Sequence, residues 1–309
     1  MLTKVLALLS LGDIDAVQNG PLTLRLHVTV AEKAAESQQA ILAPVRAFHI
    51  GHSLVGRDMP AMLQQLSGDG YRYESQLGWG TSLKEHWEPD LPIAGFSKEN
   101  NHPRYRDARE AVSSGEYDVM VLTEMVEIKD AIRYHQSGDY FGKWADLARQ
   151  SRPGVRIFLF ESWPRITNHR SWLRRLSKDI DRYWKADVLE DNQNAADVSI
   201  IPAGQVMYAF ARLLDDRQGI AEARHITDLF ARKPDGSLDT IHLNDLGKYL
   251  LALTHYAAIY GMHPPTEVPQ DLRLADGSAA TKPSAELSRV MAETVWSVVE
   301  PYAKIQSVK

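Results

Sequence analysis

The chain has 309 residues, 44% of them hydrophobic and 24% charged, and it contains no cysteine. That length allows one large α/β domain or two small ones, and the missing cysteines exclude disulfides, thiol catalysis and cysteine-ligated metal sites. A net charge of -5 with no dense Lys/Arg block argues against a nucleic-acid partner.

The N-terminal "MLTKVLALLSLGDID" carries a short apolar run broken by Asp13 and Asp15. It is a poor match to a secretion signal, which favours the cytoplasm over export. No apolar run reaches the length of a membrane span. "PLTLRLHVTV" alternates Leu22, Leu24, Leu26, Val28 and Val30 against polar residues, the pattern of an accessory edge strand. Residues 1–40 therefore read as an N-terminal extension and 41–309 as one domain. From Val45 short apolar runs alternate with amphipathic stretches. Strands are expected at 45–50, 71–78, 117–124, 155–162 and 198–204. Helices are expected at 59–70, 104–115, 140–154, about 170–190, about 205–217, 243–261 and 285–303, the last after a polar linker near 275–284. Arg170, Arg174, Arg175 and Lys178 fall among acids at helical spacing and read as a solvated helix face. Five strands separated by helices imply a three-layer α/β/α sandwich on a central, mostly parallel sheet.

In an open sheet of this kind, ligands bind beyond the carboxyl ends of the strands. The first strand delivers Gly51, His52 and Ser53 there, and the second Gly78, Trp79, Gly80 and Thr81. The third delivers Thr123 and Glu124, the fourth Glu161, Ser162 and Trp163, and the fifth Gly204 and Gln205. A late loop carries Asp239-Thr240-Ile241-His242 just before a helix. Nucleophilic acyl transfer needs a hydroxyl, a base, a carboxylate to orient the base, and donors for the oxyanion. Ser53, His242 and Asp239 supply the first three.

These blocks resemble the SGNH (GDSL-type) hydrolase superfamily over residues 45–262. Gly51-His52-Ser53-Leu54 is similar to its first block, Gly80-Thr81-Ser82 to its second and Asp239-x-x-His242 to its last. The resemblance implies a flavodoxin-like sheet and a serine esterase that needs no metal or cofactor. It also implies oxyanion donors at the N–H groups of Ser53 and Gly80. The third block departs from the pattern. Leu122-Thr123-Glu124-Met125 has no Asn, so Thr123 is expected to serve the site in its place, with Glu124 turned away or protonated. Trp79 and Trp163 are expected beside the substrate, a small or glycan ester, with O-acetyl groups on a carbohydrate the first choice by family analogy. Oligomeric state stays open.

Two other readings stay beside this one. A degenerate SGNH fold could hold a glycan without cleaving it. His49-Ile50-Gly51-His52 also spells HIGH, the signature of class I aminoacyl-tRNA synthetases and so of a nucleotidyl transferase. Its best second motif, Arg175 to Asp179, lies inside a helical pattern instead of a glycine-bearing loop. The bland reading of Ser53 is a helix cap in an ordinary glycine turn; that of Glu161 is a buried, hydrogen-bonded strand end.

Overall fold

The computed structural model describes residues 42–190 and 197–306. The expectations for the extension, including the strand at 22–30, lie outside the described residues. Strands β1 (Val45–His52), β2 (Tyr71–Gly78), β3 (Val119–Thr123), β4 (Arg156–Glu161) and β5 (Val198–Pro202) form one sheet in the order β2-β1-β3-β4-β5. Every neighbouring pair is parallel.

The strands are buried on both faces because successive side chains alternate. Ala47, Val119, Val121, Phe158, Phe160 and Ile201 enter one apolar cluster. Phe48, Ile50, Met120, Leu122, Ile157, Leu159 and Ile200 enter the other. On the first face pack α1 (Asp58–Ser67), α8 (Ala203–Arg217), α9 (Asp245–Tyr260) and α10 (Ala285–Gln306). Across the sheet lie α2 (Leu83–Trp87), α4 (Ala108–Ser113), α5 (Ile128–His135) and α6 (Ser137–Ser151). The short α3 (Phe96–Glu99) lies between α2 and α4 in the chain. Helix α7 (His169–Asp179) widens into π-type turns over Ile180–Glu190, where Ile180, Trp184 and Val188 face the second cluster. Among the described residues no helix is long and apolar enough to cross a membrane.

Several expected boundaries move. The third strand stops at Thr123, and the fifth stops at Pro202 because Gly204 and Gln205 already belong to the first turn of α8. The helix expected at 104–115 is confined to Ala108–Ser113, capped by the Asp107 side chain. The late "loop" is a hairpin of β6 (Phe230–Arg232) and β7 (Leu238–Leu243), antiparallel, so Asp239 and His242 stand on a strand.

Burial also sets the charge state of several polar side chains in the core. It lowers His49 to about 3 and His52, His86 and His255 to about 4, and it raises Glu124 to about 7 and Glu161 to about 8. Below an unfolded histidine value of 6.5, the unfolded chain binds up to four more protons on these histidines. Above 4.5 the folded chain binds up to two more on the glutamates. Stability should therefore rise with pH up to the histidine value and fall through the two raised glutamate values, since its slope follows the proton difference. Urea midpoints across pH should peak near about 6.5. Glu161→Gln should flatten the alkaline side, and a midpoint still rising at about pH 8 would contradict the assignment.

Candidate active site

Strand β1 ends at His52, and the chain turns sharply. The N–H groups of Val55 and Gly56 both donate to the His52 carbonyl, at 2.9 and 3.2 Å. This lifts Ser53 out of the sheet plane, half-buried at the strand's carboxyl edge. Gly51 is required by crowding. A Cβ there would lie 2.8 Å from Thr123 Cβ and 2.9 Å from Val55 Cγ2. Gly51→Ala should cost about 1–3 kcal/mol, the usual range for overpacking, and lower the melting temperature by several degrees. An unchanged melting temperature would show that Thr123 can move aside freely.

Two buried histidines brace this turn. The His52 Nε2–H donates to the Glu124 carbonyl at 2.8 Å, while its Nδ1 accepts from Leu54 N–H at 3.3 Å. The His86 Nε2–H donates to the Gly51 carbonyl at 2.8 Å, and its Nδ1 accepts from Gln76 Nε2 at 3.0 Å. Both rings use both nitrogens and are neutral, so they position backbone and hold no ligand. His49 is buried and bonded to the Tyr71 hydroxyl at 2.6 Å. Arg175 is tied to Asp179 in its own helix α7 and to Glu127, which precedes α5. The HIGH reading thus finds neither exposed histidines nor a second phosphate loop.

The hairpin brings Asp239 and His242 to Ser53. The Ser53 hydroxyl donates to His242 Nε2 at 3.0 Å, and His242 Nδ1–H donates to Asp239 Oδ2 at 2.8 Å. Asp239 reaches forward along its own strand, and its Oδ1 accepts from the N–H groups of Ile241 and His242 at 3.0 and 3.1 Å. Burial raises the Asp239 pKa, but the His242 side chain and these N–H groups outweigh it and hold the carboxyl below its usual range. The His242 side chain is 43% exposed, against 23% for Asp239, so the base opens to solvent while its partner sits behind it.

A cavity of about 290 Å³ opens beside this chain of hydrogen bonds. Ser53, His242, Met59, Trp163, Lys248 and Glu99 are among its walls. Trp163 is buried, and its Nε1–H donates to the Ile241 carbonyl at 3.0 Å, which fixes β7 next to His242. Lys248 is paired with Asp58 at 2.8 Å. Trp79 is 49% exposed, and its Nε1–H donates to Glu99 Oε1 at 2.7 Å, placing it at the rim. Gly80 has φ +60 with open space where a side chain would be, and Ser82 caps α2 in a box with Glu85.

Thr123 and Glu124 are wholly buried and do not border the cavity. Thr123 packs against Gly51. Glu124 Oε1 accepts from the N–H groups of Met125 and Leu83 at 2.7 and 3.3 Å, which joins β3 to the start of α2. Glu161 accepts from the Gln205 N–H and side-chain amide at 3.2 and 2.9 Å, as the bland reading has it. Sequence reasoning missed His86, Glu99 and Lys248. For His86 a signal was present, since Ser82-x-x-Glu85 is a helix-start pattern that puts the next residue on a short helix over the strand ends.

The sheet order is the flavodoxin-like 2-1-3-4-5, with the glycine-serine turn, the second glycine block and the third block at the carboxyl ends of β1, β2 and β3. No family profile matches the chain, and no curated relative does. Solved structures are similar to it at low identity. A candidate GDSL-like lipase from Parabacteroides merdae aligns at 14% identity with a TM-score of 0.40, covering 71% of this chain and 97% of that one. A carbohydrate esterase family 3 protein from Talaromyces cellulolyticus aligns at 10% identity and a TM-score of 0.40, over 70% and 96%. A serine-to-alanine mutant of an acetyl esterase, solved with an acetate ion, aligns at 12% identity and a TM-score of 0.33, over 70% and 96%. What the chain does has to be read from the geometry around Ser53.

Proposed function

We propose that the protein is a serine esterase that removes a small acyl group, acetyl first, from a carbohydrate or related small alcohol. The observation behind this reading is the continuous path from the Ser53 hydroxyl to His242 at 3.0 Å and from His242 to Asp239 at 2.8 Å. Ser53 Oγ attacks the ester carbonyl as its proton passes to His242 Nε2. The resulting imidazolium is stabilised by the Asp239 carboxylate. His242 then returns the proton to the departing alcohol, and a water activated by the same nitrogen releases the acid. The N–H groups of Ser53 and Gly80 are assigned to the oxyanion. Trp79, at the rim, and Trp163, in the wall, are assigned to substrate contact.

Thr123 is not part of this proposal because it packs beneath Gly51, away from the cavity. The third block therefore brings no side-chain donor to the cavity, which is what a glycan-binding relative without turnover would show. Phosphonylation of Ser53 by a fluorophosphonate, located by mass spectrometry, together with turnover of p-nitrophenyl acetate, separates the two. Neither result in a folded protein would leave the binder.

The rigid Trp163 wall and the small cavity favour short acyl chains. kcat/KM should fall by about tenfold or more from acetate to octanoate esters, because the extra methylenes would displace packed side chains. A rise with chain length would place the acyl group in an open groove instead.

A further inference from the structure

Arg57 stands between two cavities, the one that contains Ser53 and a second of about 410 Å³. The second is walled by the flank of α1 (Ala61, Gln64 and Gln65), by Tyr73 and Ser75, by residues 102–104, by residues 273–275 and by Gly277. Arg57, Arg104 and Arg273 all line it, and no Asp or Glu does. Elsewhere Arg46, Arg152 and Arg175 each find a carboxylate on another segment, at Glu74, Asp118 and Glu127. The three that line the cavity have no ion pair among the described residues. Arg104 Nη2 donates to Gln64 Oε1 at 3.2 Å and its guanidinium lies 5.1 Å from the centre of the Tyr73 ring. Arg273 Nη1 donates to the Gly277 carbonyl at 3.1 Å. Asp276 feels the Arg57 charge, but its Oδ1 is taken by the N–H and hydroxyl of Ser278 at 2.9 and 2.6 Å.

The frame is held independently of any ligand. Gln65 clamps the backbone of Arg273 from both sides: its Oε1 accepts from Arg273 N–H at 2.8 Å and its Nε2 donates to the Arg273 carbonyl at 2.8 Å. The Ser75 N–H donates to the Arg104 carbonyl at 2.9 Å, which ties that segment to the edge of β2. Three cations converging on one cavity repel one another, and an oxyanion placed among them would relieve that repulsion and accept several charge-assisted hydrogen bonds. Ser53 and Arg57 are four residues apart, so their Cα atoms lie within about 14 Å. One small molecule can reach both.

We infer that the cavity behind Arg57 is an anion subsite, and that the ester cleaved at Ser53 carries a carboxylate or phosphate on its alcohol part. This rests on the esterase reading and narrows its substrate to acidic esters. Arginine suits the role because its planar fork matches both anions.

The test is a matched series of O-acetylated disaccharides, one neutral, one with a uronic acid and one with a phosphate. They are assayed with the wild type and with Arg104→Gln and Arg273→Gln, two positions on separate segments so that one folding failure does not decide the outcome. The wild type should prefer an acidic ester by about tenfold or more at low salt, mainly through KM. The preference should shrink as ionic strength rises, because the guanidinium groups face solvent. Each substitution should move the acidic-to-neutral ratio toward one, and the better of the two acidic esters identifies the anion. Equal turnover of all three esters, or a preference that survives both substitutions, overturns the subsite and leaves the esterase. Absence of turnover and of Ser53 phosphonylation overturns the esterase instead. The subsite is then judged by calorimetry with the uronic-acid disaccharide, where salt-sensitive binding lost in both variants supports it and no binding overturns it.

Discussion

Ser53→Ala should abolish ester hydrolysis while the protein stays folded. Removing the nucleophile of such a triad lowers kcat by on the order of 10⁴-fold or more, with the remaining rate coming from binding and oxyanion donors. The structure explains why stability should be spared. Ser53 is half-buried, and its hydroxyl has one partner, His242, which is itself 43% exposed and can turn to water. The loss is therefore at most one modest hydrogen bond, about 1 kcal/mol, or roughly 2–4 °C in melting temperature for a domain of this size. Activity against p-nitrophenyl acetate, scanned beside a melting curve, checks both halves. Full activity in a folded Ser53→Ala protein would remove Ser53 from the chemistry.

Asp239→Asn should be nearly as severe, for a different reason. The amide keeps an oxygen for the N–H groups of Ile241 and His242, which now donate to Asp239 Oδ1. Its NH₂ then faces His242 Nδ1, a nitrogen that at present donates to Asp239 Oδ2 at 2.8 Å. Two donors cannot share that contact, so the imidazole must carry its proton on Nε2. That nitrogen can no longer accept the Ser53 proton. In a comparable triad this tautomer change lowers kcat about 10⁴-fold with the geometry intact. Steady-state kinetics should show the loss in kcat with little change in KM. The rate should recover in part at high pH, where hydroxide can take the serine proton. A mild Asp239→Asn effect would mean that His242 is oriented by something else.

The parts of this fold legible in the sequence are those with strong periodicity. The burial of β3 and β4 on both faces follows from apolar runs such as Val119 to Leu122 and Ile157 to Phe160, and the bounds of β2 agree with those expected. The hairpin was hidden because β6 has only three residues and because Asp239 bonds backbone N–H groups two and three residues on. That habit is typical of turns, so local chemistry argued for a loop while pairing with β6 made a strand. Asp239, His242 and Ser53 could be placed on one rim from strand-end logic alone. Thr123 could not be placed so well. Alternation shows that Thr123 and Glu124 point to opposite sides, but only the close approach of Gly51 shows that the threonine lies under the turn and not in the cavity. The arginines behind Arg57 come from three segments separated by up to 216 positions in the chain (273 − 57), so no local pattern could bring them together.

The hairpin that presents the base has a consequence for how this centre would fail. Asp239 is stitched to its own strand by three contacts, two from His242 and one from the Ile241 N–H. A single contact crosses from that strand to Ser53. The pair therefore moves as one body, and drift of the ribbon lengthens the serine–imidazole gap without disturbing the proton on Nδ1. Warming, or strain at the Trp163 anchor, should then act as a dimmer: the fraction of molecules poised for attack declines smoothly while the imidazole keeps the same tautomer throughout.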